Sequence, residues 1–287
     1  MKTENKLYYE SHNYVIKTDP VNGRKYVDVE TVRDDTLNTS DGNSKTGKGV
    51  GNFNFPVKYT CCNCECKVDA LCYALDGCYN FASNQATYSE NLAFYRAVDS
   101  ETFIETMVND IIDNKWELFR YFTCGDIADI RFFKCMVEIA RRLPGVTFWS
   151  YTKKYGIVNF YVSEHGLDSI PENLTIVFSH WRNKDGSYFP MSNPYNFPTS
   201  EFIPIGEEHL TETVTHICPC SDPTVLVECK TCEHPCYKLK HGESMALLEH
   251  STTDSRGRDK EIRAAKEALK EAEKKAKKTA KKAKKTA

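Results

Sequence analysis

Between residues 118 and 179 the chain alternates short apolar runs with longer segments of mixed character. The runs are 118–123 (Leu-Phe-Arg-Tyr-Phe-Thr), 146–151 (Val-Thr-Phe-Trp-Ser-Tyr) and 174–179 (Leu-Thr-Ile-Val-Phe-Ser), rich in the aromatic and β-branched residues that suit strands. The segment between the first two, about 126–143, sets Ile130, Phe133, Val137 and Ala140 against Arg131, Lys134, Glu138 and Arg141, an amphipathic helix ended by Pro144 and Gly145. The segment at 157–162 fits a helix or a short strand. Strands separated by helices cannot pair as hairpins, so they pair in parallel through crossovers. The expected fold is α/β, a parallel sheet or incomplete β/α barrel with helices packed on it.

Upstream, 82–97 reads as a helix, and Ser100 and Glu101 open a second running to Asp113, with Phe103, Ile104, Met107, Val108 and Ile111 as its apolar stripe. The first 50 residues are polar and rich in turn formers. They contain one hairpin signal, Tyr14-Val15-Ile16 and Tyr26-Val27-Asp28-Val29 around Asn22-Gly23, which predicts an N-terminal β-ribbon followed by a loop over 34–51. Gly47-Lys48-Gly49-Val50-Gly51 lacks the spacing of a phosphate loop. The organisation expected is a β-ribbon and loop over 1–50, a cysteine-rich α/β domain over 51–250, and a Lys-rich helical tail over 251–287.

Charge separates the tail from the rest. Residues 256–287 carry 14 Lys+Arg against 5 Asp+Glu, whereas residues 1–255 carry 24 against 35. The acidic body gains nothing from approaching phosphates, so affinity for nucleic acid or for a host protein would reside in the tail, whose bland reading is a solubilising extension. No apolar run nears the roughly 18 residues of a membrane helix, and the first residues lack a secretory signal. These features predict a cytoplasmic protein with no membrane partner.

Parallel α/β sheets bind ligands at the carboxyl ends of their strands. Three such ends carry polar groups: Cys124-Gly125-Asp126, Thr152-Lys153-Lys154 and His180-Trp181-Arg182. Each has a bland reading, with Asp126 capping its helix, Lys153 solvated and His180 satisfied in a loop. Their coincidence on one edge favours a shared site, in which Asp126 and Lys153 would position substrate or cofactor and act as the catalytic residues.

The 13 cysteines are clustered: six at 61, 62, 64, 66, 72 and 78, five at 218, 220, 229, 232 and 236, with Cys124 and Cys135 apart. An odd count in a cytosolic chain argues against a disulfide framework and for metal or iron–sulfur ligation. In the first cluster Cys62, Cys66 and Cys72 offer Cys-x3-Cys-x5-Cys spacing, with Cys61, Cys64 and Cys78 competing. In the second, Cys218, Cys229, Cys232 and Cys236 are the expected ligands. Zinc and iron–sulfur centres both accept thiolate sets. Only one clean Cys-x2-Cys pair exists, Cys229 and Cys232, where zinc knuckles use two. That favours an iron–sulfur cluster, of 4Fe–4S type, over zinc. His180, His216 and His234 could each replace a thiolate.

Several of these segments together resemble a known family. The Cys72-Tyr73-Ala74 segment, the helix with Gln85, Tyr88, Asn91 and Leu92, the Cys124-Gly125-Asp126 strand end, the helix end Glu138-Ile139-Ala140-Arg141, the strand from Phe148 to Lys153 and the closing cysteine cluster are similar to the phage gene product 88 family. The resemblance spans about 53–237 and implies a phage or prophage origin, hence host cytoplasm. A more distant similarity is to radical SAM enzymes. It implies a cluster on Cys62, Cys66 and Cys72 and S-adenosylmethionine held near Gly125 and Asp126, although the second spacing is x5 where that family has x2. Two functional classes follow: a redox or radical enzyme with an open iron–sulfur cluster at the strand ends, or a non-catalytic zinc-binding module tethered by its tail to nucleic acid or a host protein.

Overall fold

The structure is a computed structural model and describes residues 13–20, 23–33, 36–42, 46–61, 72, 74, 77–181, 187–188, 190–203, 214–221 and 227–248. The Lys-rich tail, Cys62, Cys64, Cys66 and Arg182 lie outside the described residues.

The N-terminal ribbon is an antiparallel pair, β1 (Ile16–Thr18) and β2 (Lys25–Val27), with Gly23 in the left-handed region of the turn. The main body is a seven-stranded sheet built of β3 (Val50–Phe53), β4 (Leu118–Tyr121), β5 (Thr147–Thr152), β6 (Leu174–His180), β7 (Thr199–Ile203), β8 (His216–Ile217) and β9 (Ser244–Leu248). Its order is β3-β4-β5-β6-β7-β9-β8 and every pairing is parallel. Five strands thus follow one another in both sequence and space, the winding of an incomplete β/α barrel.

The helices are α1 (Val57–Thr60), α2 (Ala82–Ala97), α3 (Ser100–Asp113), α4 (Ile130–Arg142) and α5 (Tyr155–His165). Helices α2 and α3 coincide with the sequence expectation, but the α3 cap is Asp99, which accepts a hydrogen bond from the Thr102 amide at 2.8 Å. Helix α4 starts four residues later than its apolar pattern suggests. Its cap is Asp129, accepting from the Phe132 amide at 2.9 Å, so Asp126 is freed from capping. Residues 157–162 belong to a helix, α5.

Strand β3 was expected to be loop. Gly51 and Asn52 break its strand pattern, yet all four of its residues are buried. Gly51 is required by packing: a Cβ there would sit 2.5 Å from the Phe119 and Trp116 rings. The outer edge of β3 is partly covered by an antiparallel bridge between Ser40 and Asn52.

The two faces of the sheet have different partners. Phe119, Tyr121, Phe148, Leu174, Ile176 and Phe178 point into one aromatic-rich core with α2 to α5. The opposite face presents Trp149, Tyr151, Thr175 and Val177, and the cysteine-rich segment 218–239 lies on it. Val177 and Met245 pack with Cys218, Cys220 and Leu239, Trp149 meets the Tyr237 ring at 5.1 Å, and the Thr175 hydroxyl donates to the Tyr237 carbonyl at 2.8 Å.

Candidate functional site

Adjacent parallel strands deliver their following loops to one edge, and here β3 and β4 are locked together there. The buried Asn54 Oδ1, just past β3, accepts three hydrogen bonds from the loop after β4: the Thr123 amide at 2.7 Å, the Cys124 amide at 2.9 Å and the Thr123 hydroxyl at 2.8 Å. The Phe55 amide donates to the Cys124 carbonyl at 3.2 Å. Gly125 has φ of +85°, and a Cβ would run into the Phe55 carbonyl oxygen, so the loop demands glycine on both counts. Asn91 of α2 supports the same junction, its Nδ2 donating to the Asn54 carbonyl at 3.0 Å and to the Asn38 carbonyl at 2.8 Å.

Asp126 carries the lock on to β5. Its Oδ1 accepts from the Thr152 hydroxyl at 2.6 Å and the Ile127 amide at 2.7 Å, and its Oδ2 from the Lys153 amide at 2.9 Å. Its own amide donates to the Thr60 hydroxyl at 3.1 Å, reaching back to α1. Burial raises its pKa above the ordinary carboxylate value, and the Thr152, Lys153 and Ile127 donors pull in the opposite direction. Lys153 turns its ammonium over the Trp181 ring, 4.6 Å from the centroid, which joins the end of β5 to the end of β6. Asp126, Lys153 and Gly125 therefore do share one edge, but both oxygens of Asp126 are engaged by the chain itself.

The first cysteine group lies at this edge. Cys124 is buried with Val57, Ala74 and Tyr88, and Cys61, Cys72 and Tyr79 pack against that cluster. Burial raises the Cys124 thiol well above its ordinary pKa, with further upward contributions from charge on Cys61, Cys72 and Cys78. Of the three ligands expected from spacing, Cys72 is in this group and Cys62 and Cys66 lie outside the described residues.

The closing group is built on three short 3-10 turns, 219–221, 229–231 and 236–238, the last two opening on Cys229 and Cys236. Cys218 accepts hydrogen bonds from the thiols of Cys220 and Cys236, which lower its pKa to about 3. Cys220 also bonds Cys229, lowering it, while the shared protons raise Cys220 itself and Cys236. The set is pinned to the sheet: the Cys218 amide donates to the Ala246 carbonyl at 2.8 Å, and Cys236 bonds Tyr151. The Arg120 guanidinium lies over the Tyr151 ring at 5.2 Å and favours the thiolate of Cys229. Cys220 thus stands in the mutually bonded set with Cys218, Cys229 and Cys236. Cys232 feels the charge of Cys218 and Cys229 without joining them, and burial raises its pKa.

Among the described residues, no group of three or more Cys, His, Asp or Glu side chains is arranged to hold a metal ion as it stands. The histidines lie apart from the thiols' bonding. His180 stacks on Tyr188 at 4.1 Å and lies 3.6 Å from Glu201, and His216 stacks on His234 at 5.1 Å.

The sequence model of the gene product 88 family matches residues 31–195. The chain belongs to that family. The match takes in β3 to β6, the edge cysteines, Asn54, Asn91 and Asp126, and stops short of the closing cysteines, which the resemblance in sequence had included. It lends no support to the similarity with radical SAM enzymes. No curated protein and no solved structure matches the chain. Sequence reasoning missed Asn54 and Cys220. Asn54 carries no motif signal, since its role depends on β3 being a strand, and Cys220 could not be ranked against four neighbouring thiols by spacing.

Proposed function

We propose that this member of the gene product 88 family is a metal-binding α/β protein whose closing thiols, Cys218, Cys220, Cys229 and Cys236, hold an iron–sulfur cluster. The observation that carries the reading is their mutual contact on a buried sheet face. Four thiols that share protons there are a set in which a metal replaces the protons, and four thiolates are the usual complement of a closed zinc or iron–sulfur site. Adopting ligation requires the thiols to rotate toward a common centre. Arg120 beside Cys229 supports the reading, because a tetrathiolate centre is anionic and a buried anion needs a counter-charge.

The redox-enzyme form of this reading uses the carboxyl edge for substrate. Asp126 enters it as a positioning residue that sets the backbone of Lys153, and the Lys153–Trp181 pair forms the polar and aromatic wall. S-adenosylmethionine is not carried forward, because two of the three cysteines that suggested it lie outside the described residues. A second reading, a zinc-stabilised binding module, is favoured by the tail, where 14 Lys+Arg stand against 5 Asp+Glu over 256–287.

Anaerobic purification of the full chain followed by iron, zinc and acid-labile sulfide analysis tests both. Iron with sulfide, lost in Cys220→Ser and Cys229→Ser, is the expected result. Stoichiometric zinc without sulfide transfers the function to the binding module, and a chain with neither metal overturns the proposal.

A further inference from the structure

The family match and the spacing of the first cysteine cluster leave Cys124 without a role, and as a single buried thiol it would pass for an ordinary small core residue. Its neighbours say otherwise. Strands β3 and β4 pair from Val50 with Leu118 to Phe53 with Tyr121, so the loops that follow them emerge side by side. The cysteine-bearing segment starts within the first of these loops, at Cys61, and Cys124 sits in the second. The Phe55 amide to Cys124 carbonyl bond and the Asn54 side chain on the Cys124 amide fix the two loops to each other. Cys61 and Cys72 pack against the cluster that contains Cys124, and Cys78 is close enough for its charge to reach it. Chain segments far apart in sequence thus bring four thiols to one place at the sheet's carboxyl edge.

Access is graded in a way that suits a metal site. Cys124 is 1% exposed, Cys61 and Cys72 are half-buried and Cys78 is exposed. A metal arriving from solvent would meet the outer thiols first and be anchored by the inner one, whose backbone is already fixed.

We propose that Cys124 is a ligand of a second metal centre, at the carboxyl edge, completing a thiolate set with Cys61, Cys72 and Cys78. The inference shares thiolate chemistry with the function proposed above but rests on different residues and stands or falls separately. Such a centre takes zinc or an iron–sulfur cluster, each satisfied by four thiolates, and the metal and sulfide analysis distinguishes them.

The test uses the full chain purified anaerobically, half of it stripped with a chelator. Both halves are pulsed with N-ethylmaleimide in urea, and alkylation at each cysteine is read by peptide mass spectrometry. Cys135, buried in the helical core on α4, is the internal reference for slowing that comes from overall stabilisation. A bound metal blocks the thiolates that ligate it, so retained metal is expected to slow Cys61, Cys72, Cys78 and Cys124 together, by about tenfold more than Cys135. Cys124 slowed no more than Cys135 overturns the proposal. Slowing of Cys218, Cys220, Cys229 and Cys236 alone leaves the closing centre standing and removes this one. Slowing of the edge set alone does the reverse, and a chain purified without iron or zinc removes both.

Discussion

Asp126 and Thr152 are joined by a 2.6 Å hydrogen bond across the carboxyl ends of β4 and β5. The same carboxylate takes the Lys153 amide at 2.9 Å, so one buried side chain sets the separation of two strand ends and the course of the loop that carries Lys153. Asp126→Asn keeps an acceptor for Thr152 and Ile127 but turns an amide donor toward the Lys153 N–H. An unsatisfied buried donor costs about 1–3 kcal/mol, so urea unfolding should show a loss in that range. A variant as stable as the parent would show that the junction is held elsewhere.

The pH dependence of that difference has a definite sign. Burial raises the Asp126 pKa above its unfolded value, so the folded state favours the protonated acid. The stability this contributes is fully present below the unfolded carboxylate value near 3.9 and is lost as pH rises through the folded value. The stability of the parent relative to Asp126→Asn should therefore grow as pH is lowered from neutrality toward 4. Unfolding both proteins across that range checks it, and a parent that loses ground on acidification contradicts the assignment.

Asn54 predicts a sharper loss. Its Oδ1 is the acceptor for two buried amides and a hydroxyl, and Asn54→Ala strands all three. At about 1–3 kcal/mol for each orphaned group, partly relieved by water entry, the expected destabilisation is about 3 kcal/mol. Hydrogen exchange should accelerate at the Thr123 and Cys124 amides before it does in α4. Unchanged protection at those two amides would dismiss the role.

Gly125→Ala tests the same loop from the backbone. Positive φ costs a non-glycine residue about 1–2 kcal/mol even in open space, and here the added methyl also meets the Phe55 carbonyl. A loss above 2 kcal/mol is expected, whereas Gly145→Ala, where a Cβ meets nothing within 4 Å, should cost far less.

The stretch from 118 to 180 was legible because its strands and α4 each carry a clear period and are bounded by turn residues. Strand β3 was not, since Val-Gly-Asn-Phe is buried on both faces and has no alternation to read. The short strands β7 and β9 escaped for want of length, although they complete the sheet. At the site, the coincidence of Asp126 and Lys153 on one edge followed from strand order alone. The membership of the thiol groups did not follow. Cys124 meets Cys61 and Cys72 only because β3 pairs with β4. Cys220 displaces Cys232 because the chain between Cys218 and Cys236 folds through tight turns that spacing does not encode.

Arg120 gives the most discriminating test of the closing thiols. It lies on β4 facing the cysteine side of the sheet, over Tyr151 and near Cys229, and its guanidinium is the positive charge that lowers the Cys229 thiol. Arg120→Met keeps much of the apolar stem and removes the charge. If the four thiols hold an anionic metal centre, the variant leaves that anion without its counter-charge, and metal retention against a competing chelator should fall by about tenfold or more. Fold stability of the stripped protein should change far less, because the neutral thiols no longer need the charge. A variant that loses stability equally with and without metal would mean that Arg120 serves the packing of Tyr151 alone, and one that holds metal as tightly as the parent would remove the electrostatic support for a centre at Cys218, Cys220, Cys229 and Cys236.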